Sequence, residues 1–526
     1  MPSLHEKLAQ SLTELKNLSN GGKRRIFQSE ELSRTHRERL LGAGFLKEII
    51  KGWVLMTRLE EGSGDSTSWY SSFWEFCRTY CDERFKSDWV LSAESSIPLL
   101  AANLNIPKQV VIAAPSANNQ TQALLHGTSL YLYKVRQLPV TPIETAGVRT
   151  FPAPEAICAG APIFWQTQKN DLIAVLGSLR NVSPISKVLL EGGHAAVAGR
   201  IAGAYRLLGN ARAADEIITT MTSAGHDVRE DTDPFKASVP MQLPIRAAPP
   251  IMTRVRLMWA EMREKVLENF KIEPRRINDH DGYLTAIDER YTSDAYHSLS
   301  IEGYSVTEDL IEKVRTGNWD PDGSDGDRKQ KDAMAAKGYW DAFQLVRASV
   351  VRVLNGEDAA EITDREHLNW YRALFQPSVQ AGIIKPENLA GYRTHFVFIR
   401  NSGHTPVAWE AVPDAMEAFL DCLKEEKDPR VRAVLGHFIY TFIHPLPDGN
   451  GRTGRFLMNV MMASGGLPWT IIPVDRRDEY MKALESASVQ GNIASFAAFL
   501  ADCCRLEPPP PRRSRPGEVQ APAKLN

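Results

Sequence analysis

The chain has 526 residues, enough for about three domains of ordinary size. Its 62 basic and 64 acidic side chains leave a net charge of −2, which excludes a protein that coats nucleic acid along its whole length. With 43% hydrophobic residues it can build its cores without disulfide or metal staples, and no apolar run reaches the roughly 18 residues of a membrane span.

The N-terminus lacks the long apolar segment of a secretory signal. Leu4, Leu8, Leu12 and Leu15 recur at three and four residues and predict an amphipathic helix. Ser29 can cap a short helix, and Ser33 to Leu41 read as another, ended by Gly42 and Gly44. Phe45 to Met56 carry β-branched and aromatic residues on both sides of Lys51-Gly52, a hairpin signal. Helices and short strands then alternate over residues 61–235, with strands expected at QVVIAAP (109–115) and TSLYLYKV (128–135). The run GGHAAVAGRIAGAYRLLG places small residues at helical spacing, which reads as close packing rather than a ligand site.

Proline and charge mark residues 236–250 as a linker. Residues 251–505 read as mainly helical, with one strand pair at HFVFIRN and Pro406 to Trp409. Residues 506–526 are nearly free of apolar side chains and are expected to be disordered. The six cysteines, Cys77, Cys81, Cys158, Cys422, Cys503 and Cys504, form no facing Cys-x-x-Cys pairs. That argues against a zinc ribbon and for a reducing, cytoplasmic setting.

The most informative stretch is GHFIYTFIHPLPDGNGRTGRFLMNVMMASGG (436–466), which reads as helix, tight loop, helix. Its loop, HPLPDGNGRTGR, gathers one imidazole, one carboxylate, one amide and two guanidiniums around three glycines. Gly449 and Gly451 let backbone approach an anion, and the N–H groups opening the next helix favour phosphate. Arg452 and Arg455 offer forks that match phosphate oxygens, and Asn450 can bond one more. Asp448 is placed to hold Mg²⁺ beside substrate phosphates. His444, with an expected pKa near neutrality, suits a general base for an incoming hydroxyl. The natural chemistry is phosphoryl or nucleotidyl transfer.

This loop resembles the signature of the Fic family, HPFx(D/E)GNGRxxR, with Leu446 where the family usually has Phe. The resemblance covers roughly residues 270–505 and implies an all-α domain with a β-hairpin flap, placed at residues 391–409. It implies transfer of AMP from ATP to a Ser, Thr or Tyr hydroxyl of a target protein. In that scheme His444 is the base, Asp448 binds the metal, and Gly449, Asn450, Gly451, Arg452 and Arg455 hold phosphates. Upstream, SLSIEG (298–303) fits the family's inhibitory motif, (S/T)xxxE(G/N), with Ser298, Glu302 and Gly303 in the defining places. The resemblance implies that Glu302 pairs with Arg455 and blocks productive placement of the γ-phosphate. In some members the same glutamate helps remove AMP, so reversal stays open here.

Residues 23–56 resemble a winged helix. Lys23, Arg24, Arg25, Arg34, Arg37 and Arg39 lie about its recognition helix, and Lys47 and Lys51 lie in the wing. The stretch to about Phe235 resembles the antitoxin component of type IV abortive-infection systems, through AGRIAGAYRLLG and the Pro-Phe pair. That implies duplex DNA as a partner. The expected organisation is a winged helix (1–60), a mixed α/β body (61–235), a linker (236–250), a Fic domain with its inhibitory helix (251–505) and a tail. The expected fold class is mainly α. The alternative is a DNA-binding regulator whose Fic domain senses nucleotide or uses another phosphate-linked donor. No membrane is expected, and homo-oligomerisation stays open.

Overall fold

The structure is a computed structural model and describes residues 3–20, 24–57, 65–237, 239, 242, 247–318 and 327–506. The chain divides into two units. Among the described residues, one holds those up to Arg254 together with Phe398–Thr405, and the other holds Val255–Val397 and residues 406–506.

In the first unit, Ser3 and Glu6 form a reciprocal capping box that opens helix Leu4–Leu18. Ser33 accepts the His36 N–H and starts helix Arg34–Gly42. Strands β1 (Ile26–Gln28), β2 (Leu46–Ile50) and β3 (Trp53–Met56) form an antiparallel sheet in the order β1-β3-β2. Gly52 takes φ 90° in the β2–β3 turn. Phe27, Leu40, Leu46, Val54 and Leu15 pack beneath this sheet.

The cations expected to face DNA are largely engaged inside the unit. Arg24 forks onto Glu31 at 2.6 and 2.5 Å. Arg34 pairs with Glu38 at 2.7 Å, and Arg37 donates to the Ser29 carbonyl. Arg39 donates to the Lys7 carbonyl and Ser11 Oγ, Arg25 donates to Ser71 Oγ, and Lys47 Nζ lies 3.5 Å from His126 Nε2. Charge spacing alone could not reveal these partners, because several come from distant segments. Lys23 lies outside the described residues.

A second sheet has the order β4-β5-β7-β6. It joins β4 (Val90–Leu91), β5 (Gln109–Ala114), β6 (Gln120–Ala123) and β7 (Ser129–Lys134). β5 and β7 run parallel and the outer pairs antiparallel. Trp69, Phe73, Phe76 and Tyr80 of helix Thr67–Phe85 share one buried cluster with Val110, Ile112, Leu130 and Leu132 of this sheet. β8 (Ile143–Thr145) and β9 (Val148–Thr150) form a small ribbon.

The small-residue run forms helix Ala195–Leu207. Its glycines face an extended segment rather than another helix. A Cβ at Gly199 would sit 2.0 Å from the Arg229 carbonyl oxygen, and one at Gly203 would sit 1.7 Å from that of Asp231. The Asp231 N–H donates to the Gly199 carbonyl at 3.0 Å. Within the expected linker, residues 238, 240, 241 and 243–246 lie outside the described residues, and Pro250 already opens helix Pro250–Asn269. The expected disordered tail lies outside them from residue 507 on.

The second unit is helical. Helix Pro429–Ile443 packs along helix Asn450–Ser464, and helices His280–Ile301, Asp327–Leu354 and Ala359–Gln380 surround the pair. A Cβ at Gly436 would come within 2.8 Å of Leu457, which shows how close the central pair lies. The strand pair expected over 391–409 is not formed, so the flap is not a β-hairpin. Arg393 provides the reason. It donates to the carbonyls of His444, His395, Val407 and Ile443, so carbonyls that a ladder would use are already bonded. Pro406 brings no N–H, and Trp409–Ala411 turns into a 3₁₀ helix instead of extending.

Gly203→Ala is expected to destabilise the first unit by about 1–3 kcal/mol, the usual range for overpacking. Trp165 lies 5.8 Å from Phe235, so its fluorescence in denaturant reports this unit. An unchanged midpoint would mean that residues 229–231 do not dock on the helix.

Candidate active site

The loop between helices Pro429–Ile443 and Asn450–Ser464 starts at His444. His444 takes a left-handed backbone (φ 54°, ψ 58°), which ends the first helix and turns the chain. Its Nδ1 lies 3.3 Å from the Thr441 carbonyl. A proton on Nδ1 bonded there leaves Nε2 as the basic nitrogen. Burial, opposed by that carbonyl and reinforced by the Arg393 charge, lowers its pKa from 6.5 to about 4. The expectation of a pKa near neutrality is therefore corrected: the imidazole is neutral at pH 7 and still neutral well below it. Arg393 also donates through Nε to the His444 carbonyl at 2.8 Å, and its N–H bonds the Pro445 carbonyl.

Asn450 plays a different part from the one expected. Its Oδ1 accepts the Leu446 N–H and its Nδ2 donates to the Leu446 carbonyl, both at 2.9 Å. The amide is 2% exposed and clamps the loop rather than presenting itself to a phosphate. A buried backbone N–H and C=O need such partners, and the Asn450 amide offers donor and acceptor side by side in one planar group. The Leu446 side chain is itself fully buried.

The following helix opens with unpaired amides, a geometry that suits an anion. Thr453 N–H donates back to the Gly449 carbonyl, so the amides of Asn450, Gly451 and Arg452 open the helix without carbonyls inside it to bond. Asp448 accepts the Gly449 N–H at 2.5 Å and lies 3.5 Å from Arg452 Nη2, with its side chain 66% exposed. Among the described residues no group of three metal-ligating side chains occurs. One exposed carboxylate of the loop, with no cluster of three around it, fits Mg²⁺ shared with substrate phosphates rather than an all-protein cage.

Arg452 is 1% exposed. Its guanidinium lies 4.8 Å from the Phe375 ring and 5.2 Å from the Tyr304 ring. Its Nε and Nη1 donors are buried and lack acceptors in the described structure. Such donors are destabilising unless something accepts them. Arg455, 4% exposed, donates through Nε to Ser298 Oγ at 2.9 Å and through Nη2 to the Ser298 carbonyl at 3.0 Å and Glu302 Oε1 at 2.7 Å.

Ser298 and Glu302 close helix His280–Ile301, with Glu302 as its C-cap. Gly303 follows at φ +87°, so the motif's last position needs glycine for its backbone. Burial opposes ionisation of Glu302, but the charges of Arg455 and Arg452 outweigh it and hold the carboxyl below its usual 4.5. Gly451 is what admits this carboxylate: a Cβ there would lie 2.4 Å from Glu302 Oε1. Glu302, Gly303, Tyr304, Lys331, Asp448 and Arg452 line an open cleft of about 560 Å³. All the candidate loop and motif residues thus gather in one place. Tyr304, Phe375, Arg393 and Thr441 were not singled out in the sequence, although Tyr304 directly follows the SLSIEG motif.

The Fic/DOC family model matches residues 361–462. The protein adenylyltransferase Fic of Drosophila willistoni is 31% identical over 219 residues, 41% of this chain and 40% of that one. Its Drosophila yakuba counterpart is 29% identical over 248 residues, 46% of each chain. The chain thus spans less than half the length of these relatives. A solved structure of Fic-1 (residues 134–508) from C. elegans is 18% identical, covers 65% of this chain and 95% of that one, and has a TM-score of 0.36. The chain is mainly helical with a mixed α/β N-terminal part, and in its C-terminal part it carries a Fic domain.

Proposed function

We propose that this protein is an adenylyltransferase that moves AMP from ATP to a hydroxyl side chain of a target protein. The observation that carries this reading is Arg452, a buried guanidinium with two unpaired donors beside helix amides and the neutral imidazole of His444. The target oxygen attacks the α-phosphorus, the bond from that phosphorus to the β-bridging oxygen breaks, and pyrophosphate leaves. His444 Nε2 takes the hydroxyl proton. The loop amides and Arg452 bind phosphate oxygens, and Asn450 holds the loop in shape. Asp448 would hold Mg²⁺, which neutralises phosphate charge when bound. The names of the Drosophila relatives point to the same chemistry.

The proposal includes a restraint. Glu302 occupies a donor of Arg455 at 2.7 Å that a terminal phosphate would otherwise use. A charge-assisted hydrogen bond of this kind is worth about 1.5–3 kcal/mol. Glu302→Gly is therefore expected to raise transfer about ten- to a hundredfold, since each 1.4 kcal/mol is a factor of about ten. His444→Ala on that background should lower it at least about a hundredfold while ATP still binds. Incubation with α-labelled ATP, Mg²⁺ and cell lysate reads both effects. No label in any sample, with ATP binding intact, would favour a nucleotide sensor or another phosphate-linked donor. Label released on further incubation would assign the reverse reaction as well.

The pH dependence follows from the same groups. His444 must be neutral to act, and its pKa lies at about 4 rather than 6.5. The rate of the Glu302→Gly protein should stay flat from pH 7.5 down to roughly pH 5. A fall centred near 6.5 in single-turnover assays would overturn the assignment. The linkage has two parts. Between 6.5 and about 4 the unfolded chain binds the His444 proton and the folded one does not, so this group weakens folding as pH falls. The lowered pKa of Glu302 contributes stability that is complete above about 4.5 and is lost as pH falls through its folded value.

A second reading concerns the first unit. A helix followed by the β2–β3 hairpin is the arrangement of a winged helix and supports DNA contact, while the pairing of Arg24, Arg34 and Arg39 limits its strength. The full chain is expected to bind duplex DNA with an affinity that falls steeply as salt rises. Absence of binding at low salt would remove DNA as a partner.

A further inference from the structure

We propose that Tyr304 is a positioning residue for Arg452, so that the turn carrying the restraining carboxylate is also a working part of the nucleotide site. The inference rests on the adenylyl-transfer reading and adds a residue and a constraint to it.

The turn is fixed by three backbone bonds. Glu302 and Tyr304 N–H both donate to the Leu299 carbonyl, and Gly303 N–H donates to that of Ser300. With Gly303 left-handed, the chain reverses at once and brings the half-buried Tyr304 ring to 5.2 Å from the Arg452 guanidinium carbon. Phe375, on helix Ala359–Gln380, lies 4.8 Å from the same carbon.

Hydrogen bonds do not set the orientation of this guanidinium. Its nearest carboxylate oxygen, on the exposed Asp448, is 3.5 Å away, and Nε and Nη1 have no acceptor in the described structure. What remains is contact with two aromatic rings, which attracts a cation to the ring face and fixes its plane. Phase and reach of the donors towards a phosphate depend on that plane.

The consequence concerns how the restraint is lifted. If the whole turn left the site, Tyr304 would leave with Glu302, and Arg452 would lose one of its two rings. Ser298 would go too, with its two hydrogen bonds to Arg455. Activation therefore requires the Glu302 carboxylate to swing off Arg455 while the turn and Tyr304 stay in place.

The test uses the full chain. In the Glu302→Gly background, Tyr304→Ala is expected to lower kcat/KM about tenfold, mainly through KM for ATP. Tyr304→Phe should restore it. Tyr304→Leu keeps apolar bulk without a π face and should behave like the alanine variant. Activity of Tyr304→Ala equal to or above its parent would overturn the proposal, and so would a leucine variant matching phenylalanine. Calorimetric Kd values for ATP in the chain with Glu302 intact give an independent arm. There Tyr304→Ala should weaken binding about tenfold and Tyr304→Phe should not. If Glu302→Gly transfers nothing, the adenylyl-transfer reading fails and this arm alone decides the role of Tyr304. An unchanged Kd in Tyr304→Ala, or no ATP binding in the unaltered chain, would overturn the proposal.

Discussion

Arg455 places a permanent positive charge in a helical core, 4% exposed to solvent, and a charge there must be met by partners. Much of the site follows from that requirement. Two of the partners come from Ser298 and one from Glu302, so the end of helix His280–Ile301 is fixed against the start of helix Asn450–Ser464. The carboxylate fits only because Gly451 has no side chain. In the proposed reaction Glu302 and a substrate phosphate compete for Arg455 Nη2, while Nη1 has no acceptor in the described structure.

The three glycines of the loop look alike in sequence and act differently. Gly449 alone has a positive φ, +76°, and a Cβ there would also meet Phe375 at 2.7 Å. Gly451 makes room for Glu302, and Gly454 makes room for His437, whose Nδ1 would lie 2.7 Å from a Cβ. His437 is fully buried in the preceding helix and is pushed to about 3 by burial first and then by Arg455. Its Nε2 bonds the Tyr480 hydroxyl at 2.7 Å. The last glycine thus serves helix packing around a neutral histidine, and no phosphate contact is needed to explain it.

What could be read from the residues had a local cause. The loop HPLPDGNGRTGR and the SLSIEG motif each concentrate chemistry in a dozen residues or fewer, and the hairpin around Lys51-Gly52 carries its own turn signal. What could not be read depends on which groups the fold uses up internally, some through neighbours and some through segments far along the chain. Nothing near Arg393 indicates that its guanidinium will collect carbonyls from residues 395, 407, 443 and 444 and so replace a β ladder. Asn450 looks like a phosphate ligand until the fully buried Leu446 backbone is seen to need both halves of its amide. Arg39 looks like part of a basic face until its bonds to the Lys7 carbonyl and Ser11 Oγ, 32 and 28 residues away, are seen. Composition and spacing identify which groups are present; the fold decides which of them remain free.

Behind the Glu302–Arg455 pair lies a second, wholly buried polar chain. The Tyr339 hydroxyl donates to Asp294 Oδ2 at 2.7 Å, and burial raises the Asp294 carboxyl to about 6 against the opposing effect of that bond. Asp294 sits one turn before Ser298 on the same helix, so Tyr339 fastens that helix from below while Arg455 fastens it from the side. Neither attachment uses the Glu302 carboxylate. The Glu302 carboxylate is therefore separable from the scaffold that delivers it. Loss of its single bond to Arg455 leaves the Ser298 contacts, the Asp294–Tyr339 pair and the backbone turn at Gly303 to hold the helix end where it is. If Glu302 restrains the site as proposed, one side-chain rotation lifts that restraint, and a motion of this size does not require the core around Arg455 to open.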